Sequence, residues 1–189
     1  RITAVESNPA IVELVTGSLK NYSGPIFDRV KLVVMDGRSF AETTDERFDV
    51  VDFTPINSRL ALINSSVKME SYVQTLEAFK TYLGRLKPEG LIWFKVPFQA
   101  DETPLYRMLA TASLALREAG LEPAARIAVF AQNPDSANRG RRLAFVAVHS
   151  TPIKPEEMAA YEKYFADYGG YSALYQPGSQ AAGIVRDLV

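Results

Sequence analysis

The sequence has no cysteine and a single histidine, His149. Without thiols there are no disulfides, thiolate metal sites or cysteine nucleophiles, and one imidazole argues against a His-rich metal site or a histidine-based triad. Metal is therefore not expected, and a reducing compartment is compatible. A charge surplus is lacking too: 21 Lys plus Arg against 22 Asp plus Glu leave −1 with His neutral. A domain that rides on phosphate backbones carries a basic excess, so nucleic acid is not the expected partner. No uncharged apolar run approaches the ~18 residues of a spanning helix. What remains, 189 residues with 47% hydrophobic and 23% charged side chains, fits one ordinary globular domain and excludes collagen, coiled coil and disorder. The chain starts at Arg1, and Ile2–Glu6 already reads as a strand with no signal peptide before it, so a piece of something longer is expected.

Runs rich in Val, Ile and Phe predict strands at Ile2–Glu6, Val30–Met35, Phe48–Phe53, Leu91–Val96, Arg126–Ala131 and Leu143–His149. Helical periods between most of them predict an α/β domain with a largely parallel sheet. Asn8-Pro9 and Thr103-Pro104 place a cap before a helix-opening proline, while Gly120 and Gly169 sit where helices stop. Leu76, Phe79, Leu83 and Leu86 form one apolar stripe; Leu105, Met108 or Leu109, Ala112 and Leu116 form another. The polar loop Gln132–Arg142 is too short for a crossover helix, so the strands around it form an antiparallel hairpin. The fold expected is a doubly wound, Rossmann-like sheet of methyltransferase type. After Lys154 a helix opens at Pro155 and runs through Met158, Tyr161 and Phe165; it packs on the sheet and then loosens into a mobile tail. Residues 1–152 read as the α/β domain and 153–189 as its closing helix and tail.

Ligands of open α/β sheets bind beyond the carboxyl ends of the strands. Three carboxylates stand there: Glu6, Asp36 in Met35-Asp36-Gly37-Arg38, and Asp52. A carboxylate after one strand accepts hydrogen bonds from two ribose hydroxyls, the chemistry Glu6 would supply. An Asp followed by Gly after the next strand reaches the exocyclic amine of adenine, and the glycine admits the ring. Glu6 alone also suits a helix cap and Asp36-Gly37 a turn, but their joint placement outlines half of an adenosine site.

The series Ala4-Val-Glu6-Ser-Asn-Pro9, Val33-Val-Met-Asp36-Gly37-Arg38-Ser-Phe40, Arg47-Phe-Asp-Val-Val51, Ser71-Tyr72-Val-Gln74-Thr75-Leu-Glu77-Ala-Phe79 and Leu86-Lys-Pro-Glu-Gly90 resembles the spermidine synthase-like branch of the adenosylmethionine-dependent transferase fold. Pro155–Gly178 looks like the closing helix and ending of bacterial members. The resemblance implies that Glu6 holds the ribose, and Asp36 with Gly37 the adenine, of S-adenosylmethionine, its decarboxylated form or methylthioadenosine. It further implies Asp52 as catalytic carboxylate; Tyr72 and Gln74 open a helix next to the loop after Asp52 and are candidates for the substrate side, with a core position for Tyr72 the alternative. The partners implied are a small nucleotide and an amine or other nucleophile, and a cytoplasmic setting. Some bacterial members carry membrane-spanning regions, so a membrane tether through a longer parent is compatible, as is a homodimer.

The sequence also departs from that pattern. The family's glycine-rich turn follows a central strand preceding the one at Ile2–Glu6, and both are absent here. The Asp-x-x-Asp-type element after the strand Phe48–Phe53 is replaced by Thr54 and Asn57, and only a two-residue shortening brings Asp52 into the first position. A polyamine is a multiply charged cation that needs several carboxylates. With the central strand missing, Ile2–Glu6 and Phe48–Phe53 are expected to pair directly or to receive a strand from a second copy. Arg139, Arg141 and Arg142 read as a solvated hairpin tip, and His149 as a structural or surface imidazole.

The leading expectation is an aminopropyl or methyl transferase domain, catalytically impaired or not. The alternative is a non-enzymatic interaction or regulatory module of a larger protein. A nicotinamide dehydrogenase shares the ribose carboxylate but has no need of Asp36-Gly37.

Overall fold

The structure, a computed structural model, describes residues 1–53, 72–98, 102–134, 142–179 and 183–189. It divides into two compact units, Arg1–Asp45 and Glu46–Val189.

In the first unit, β1 (Ile2–Glu6) and β2 (Val30–Val34) pair in parallel, with Ile2 opposite Val30 and Glu6 opposite Val34. Their β-branched residues suit a pleated surface. Helix α1 (Pro9–Thr16) starts where the Asn8 side chain accepts from Ala10 N and Pro9 fills the first position. A short α2 (Lys20–Ser23) follows, and α3 (Gly37–Thr43) closes the unit. Among the described side chains of this unit, Ala41 alone is buried.

The second unit holds a five-stranded sheet in the order β3-β4-β6-β5-β7. Its strands are β3 (Phe48–Phe53), β4 (Leu86–Pro97), β5 (Ile127–Gln132), β6 (Leu143–His149) and β7 (Tyr171–Tyr175). β3 and β4 are parallel; β6 is antiparallel to β4 and β5, and β7 is antiparallel to β5. The expected hairpin of β5 and β6 is present. On one face lies α4 (Leu76–Gly84), whose Phe79 ring centroid is 5.7 Å from that of Phe94 and 5.8 Å from that of Phe53. Beside it α5 (Thr103–Glu118) buries Leu105, Met108, Leu109, Ala112 and Leu116, the stripe expected from periodicity. On the other face α6 (Pro155–Tyr168) stacks Phe165 on Phe130 at 4.3 Å and Tyr161 on Trp93 at 6.0 Å. Of these rings Phe79, Phe94, Phe130 and Phe165 are buried, and each stabilises the fold by about 1.5–3 kcal/mol.

A short excursion, Lys87–Gly90, shifts the β3–β4 register, so that Phe48 pairs with Leu86 but Val50 with Leu91. Glu89 takes a positive φ of 64° there. Gly90 passes so close to β3 that a Cβ would stand 2.9 Å from the Phe48 carbonyl oxygen.

The structure corrects four expectations. Leu76 and Leu83 are half-buried while Ala78 and Tyr82 lie deeper, because the helix ends at Arg85 and Leu86, the last residue of the expected stripe, belongs to β4. Glu102, not Thr103, holds the cap position of α5. The segment after Gly169 is no loose tail: Tyr171–Tyr175 pairs with β5, and a short α7 (Ile184–Leu188) follows, with Arg117 Nη2 donating to the Val189 carbonyl at 2.9 Å. Finally, β1 pairs with β2 and β3 with β4, so of the two arrangements expected the direct pairing of β1 with β3 is not present among the described residues. That expectation assumed strands buried on both faces, but Ile2, Asp49, Val50 and Asp52 are exposed and the rest of both strands is half-buried. Water can satisfy an edge that is not buried, so the desolvation penalty that would force direct pairing does not arise.

Candidate functional site

In the first unit, the β1–β2 ladder puts Glu6 opposite Val34, and the Met35 amide donates to the Glu6 carbonyl at 3.1 Å. Asp36 is therefore two residues beyond the partner of Glu6, so the two carboxylates stand at adjacent strand ends. Glu6 Oε1 accepts from Asn8 N at 2.8 Å and from Ser7 Oγ at 3.4 Å. Asp36 Oδ1 accepts from Arg38 N at 3.0 Å and from Ser39 N at 3.1 Å, capping α3. Asp36 thus caps α3, whereas α1 is capped by Asn8 and not by Glu6, and each carboxylate uses one oxygen. Glu6 Oε2 and Asp36 Oδ2 have no hydrogen-bond partner among the described residues. Backbone amides fix the two carboxylates in orientation and leave one acceptor oxygen on each, which suits hydroxyl and amine donors of a nucleoside. Gly37 opens α3 and adds no side chain there.

In the second unit, Asp52 lies one residue before the end of β3, in register with Trp93 of β4. Register partners and residues two apart along a strand share a face, so Asp52, Trp93 and Lys95 line the face on which α6 packs. Desolvation holds the Asp52 carboxyl above its ordinary value, and the Lys95 ammonium partly offsets this. The Lys95 Nζ lies 5.5 Å from the Phe145 ring centroid. Trp93 is walled by Phe145 at 5.6 Å and Phe165 at 6.3 Å besides Tyr161. Sequence reasoning passed over Lys95 and Trp93. A lysine alternating with apolar neighbours in Ile92-Trp93-Phe94-Lys95-Val96 was the available signal.

Tyr72 and Gln74 form a 3₁₀ turn before α4, in which Gln74 is half-exposed. Thr54, Asn57, Arg139 and Arg141 lie outside the described residues. Arg142 is docked, its Nε donating to the Gln132 carbonyl at 2.7 Å and its guanidinium 4.6 Å from the Phe98 centroid. His149 is structural: it is buried, with Nε2 2.8 Å from the Tyr161 hydroxyl, and Nδ1 has no partner among the described residues. Burial pushes its pKa down against an upward pull from Glu157. Among the described residues no helix is long and apolar enough to cross a membrane.

No protein-family model matches the chain. In sequence it is 45% identical over 53 residues to polyamine aminopropyltransferase 1 of Pseudomonas aeruginosa, a match covering 27% of this chain and 18% of that protein. In structure it is similar to a probable spermidine synthase from Corynebacterium glutamicum, with a TM-score of 0.65 and 21% identity, over 98% of this chain and 59% of that one. A spermidine synthase solved in complex with the transition state analogue AdoDATO aligns with a TM-score of 0.55 and 14% identity, over 82% of this chain and 46% of that one. The chain therefore spans less than two thirds of these solved relatives. Its architecture is the α/β fold of the methyltransferase class. Within that class the fold is spermidine synthase-like, and the local sequence likeness is to polyamine aminopropyltransferases.

Proposed function

We propose that this chain is a nucleotide-binding transferase domain that uses S-adenosylmethionine or its decarboxylated form to move a methyl or aminopropyl group to a nucleophile. The observation that carries this reading is the pair Glu6 and Asp36 at adjacent strand ends, each oriented by amide hydrogen bonds and each with one acceptor oxygen left over. Glu6 accepts from ribose hydroxyls; Asp36 accepts from the adenine amine, with Gly37 admitting the ring. The likeness to a spermidine synthase complexed with AdoDATO supports an adenosyl ligand of this class. When bound, the sulfonium supplies an activated carbon and a neutral thioether leaving group. Asp52 takes the proton that the acceptor nitrogen loses, and its upward-shifted carboxyl is a better base than an ordinary aspartate. Tyr72 and Gln74 are assigned to the acceptor side.

A second reading, a non-enzymatic interaction module, is favoured by Thr54 and Asn57 standing where two carboxylates are expected. Calorimetric titration with methylthioadenosine, S-adenosylmethionine, its decarboxylated form and NAD separates the two. The transferase reading expects an adenosyl sulfonium or thioether to bind and NAD not to, with affinity falling about tenfold or more in Glu6→Gln. Binding of none of the four, by folded protein, contradicts it and leaves the module reading.

A further inference from the structure

Lys95 is the one charged group that bears on Asp52 among the described residues, and it is a cation. It shares the sheet face of Asp52, and its ammonium stands 5.5 Å from the Phe145 ring centroid, within cation–π range. It makes no salt bridge among the described residues, so its charge is not consumed elsewhere. A diamine brought to Asp52 would carry two positive charges toward one carboxylate and one fixed ammonium. Like charges in that arrangement repel, and among the described residues no second carboxylate acts on this position.

We infer that the acceptor is anionic at its far end: an amine whose nitrogen meets Asp52 and whose carboxylate, or similar anionic group, pairs with Lys95. This rests on the assignment of Asp52 to the acceptor. It changes the substrate class from polyamine to amino acid-like, because Lys95 rewards a negative charge and penalises a positive one. Trp93, opposite Asp52 and two residues before Lys95 on this face, offers apolar surface to the methylenes joining the two ends.

The test compares two probes of equal chain length, 4-aminobutanoate and 1,4-diaminobutane, titrated calorimetrically into the protein with methylthioadenosine already bound. The expected result is at least tenfold tighter binding of 4-aminobutanoate, equivalent to about 1.4 kcal/mol. That preference should vanish in Lys95→Gln and survive in Lys95→Arg, which keeps the charge and controls for folding. Equal affinities, preference for the diamine, binding of neither, or a preference untouched in Lys95→Gln overturns the inference alone. Failure of methylthioadenosine to bind at the start counts against the transferase reading, and the inference falls with it.

Discussion

Residues 1–45 and 46–189 were folded by different means. The larger unit buries nearly every residue of β5 and β6 and interleaves aromatic rings on both faces of its sheet. The smaller buries Ala41 alone, among its described side chains, and leaves Ile11 and Leu14 of α1 45% and 44% exposed. A two-stranded sheet is marginal by itself. Yet the smaller unit carries the two carboxylates assigned to the nucleotide. Binding sites are commonly drawn from the less stable parts of a fold, and here the division follows from where the apolar residues are buried.

The comparison is broken most sharply by truncating an apolar side chain in each unit. Phe94→Ala should lower stability by about 3–5 kcal/mol, since the ring is fully buried between Phe53 and Phe79. Leu14→Ala should change it by no more than about 0.5 kcal/mol. Urea midpoints measure both, and comparable losses would erase the distinction. Gly90→Ala comes next, at about 1–3 kcal/mol, because the new Cβ would meet backbone oxygens of Phe48 at 2.9 Å and Lys87 at 3.0 Å, neither of which can swing away.

A smaller effect sharpens the comparison through pH. His149 is the single histidine, so stability changes near pH 6 report largely on the α6 side of the larger unit. Burial lowers its folded-state pKa below the ordinary value of about 6.5. The unfolded chain therefore takes up a proton first, and stability is lost as pH falls through about 6.5 until the folded-state pKa is passed. Melting temperatures from pH 8 to 5 should fall in that window and flatten in His149→Gln. At the alkaline end burial, with a further push from Glu157, raises the Tyr161 phenol to about 12. Stability tied to it is present below about pH 10 and lost between there and about 12. Ultraviolet titration against Tyr161→Phe should show one phenol ionising in that upper range.

The elements legible in the sequence were those whose periodicity and punctuation agree. β1, β3 and β6 fall where their apolar runs begin and end, and α5 buries its expected stripe before stopping at Ala119 and Gly120. β7 was hidden because Tyr-Ser-Ala-Leu-Tyr is short and stands between Gly169-Gly170 and Pro177-Gly178, signals that also mark loose chain. Glu6 and Asp36 were legible as strand-end carboxylates because a strand's end follows from its pattern. That amides of Asn8, Arg38 and Ser39 would pin one oxygen of each needs the turns that follow, which the pattern does not resolve. Lys95 was not legible because its meaning depends on the β3–β4 register, and the excursion at Lys87–Gly90 sets that register.

The most direct measurement is amide hydrogen exchange, followed residue by residue, without and with methylthioadenosine. The amides of β1 and β2 should exchange much faster than those of β4, β5 and β6 in the free protein. On addition of the nucleoside, protection should rise around Glu6 and Asp36 and stay unchanged across β5 and β6. Equal protection of both regions in the free protein, or a nucleoside that leaves residues 1–45 unprotected, would contradict the account.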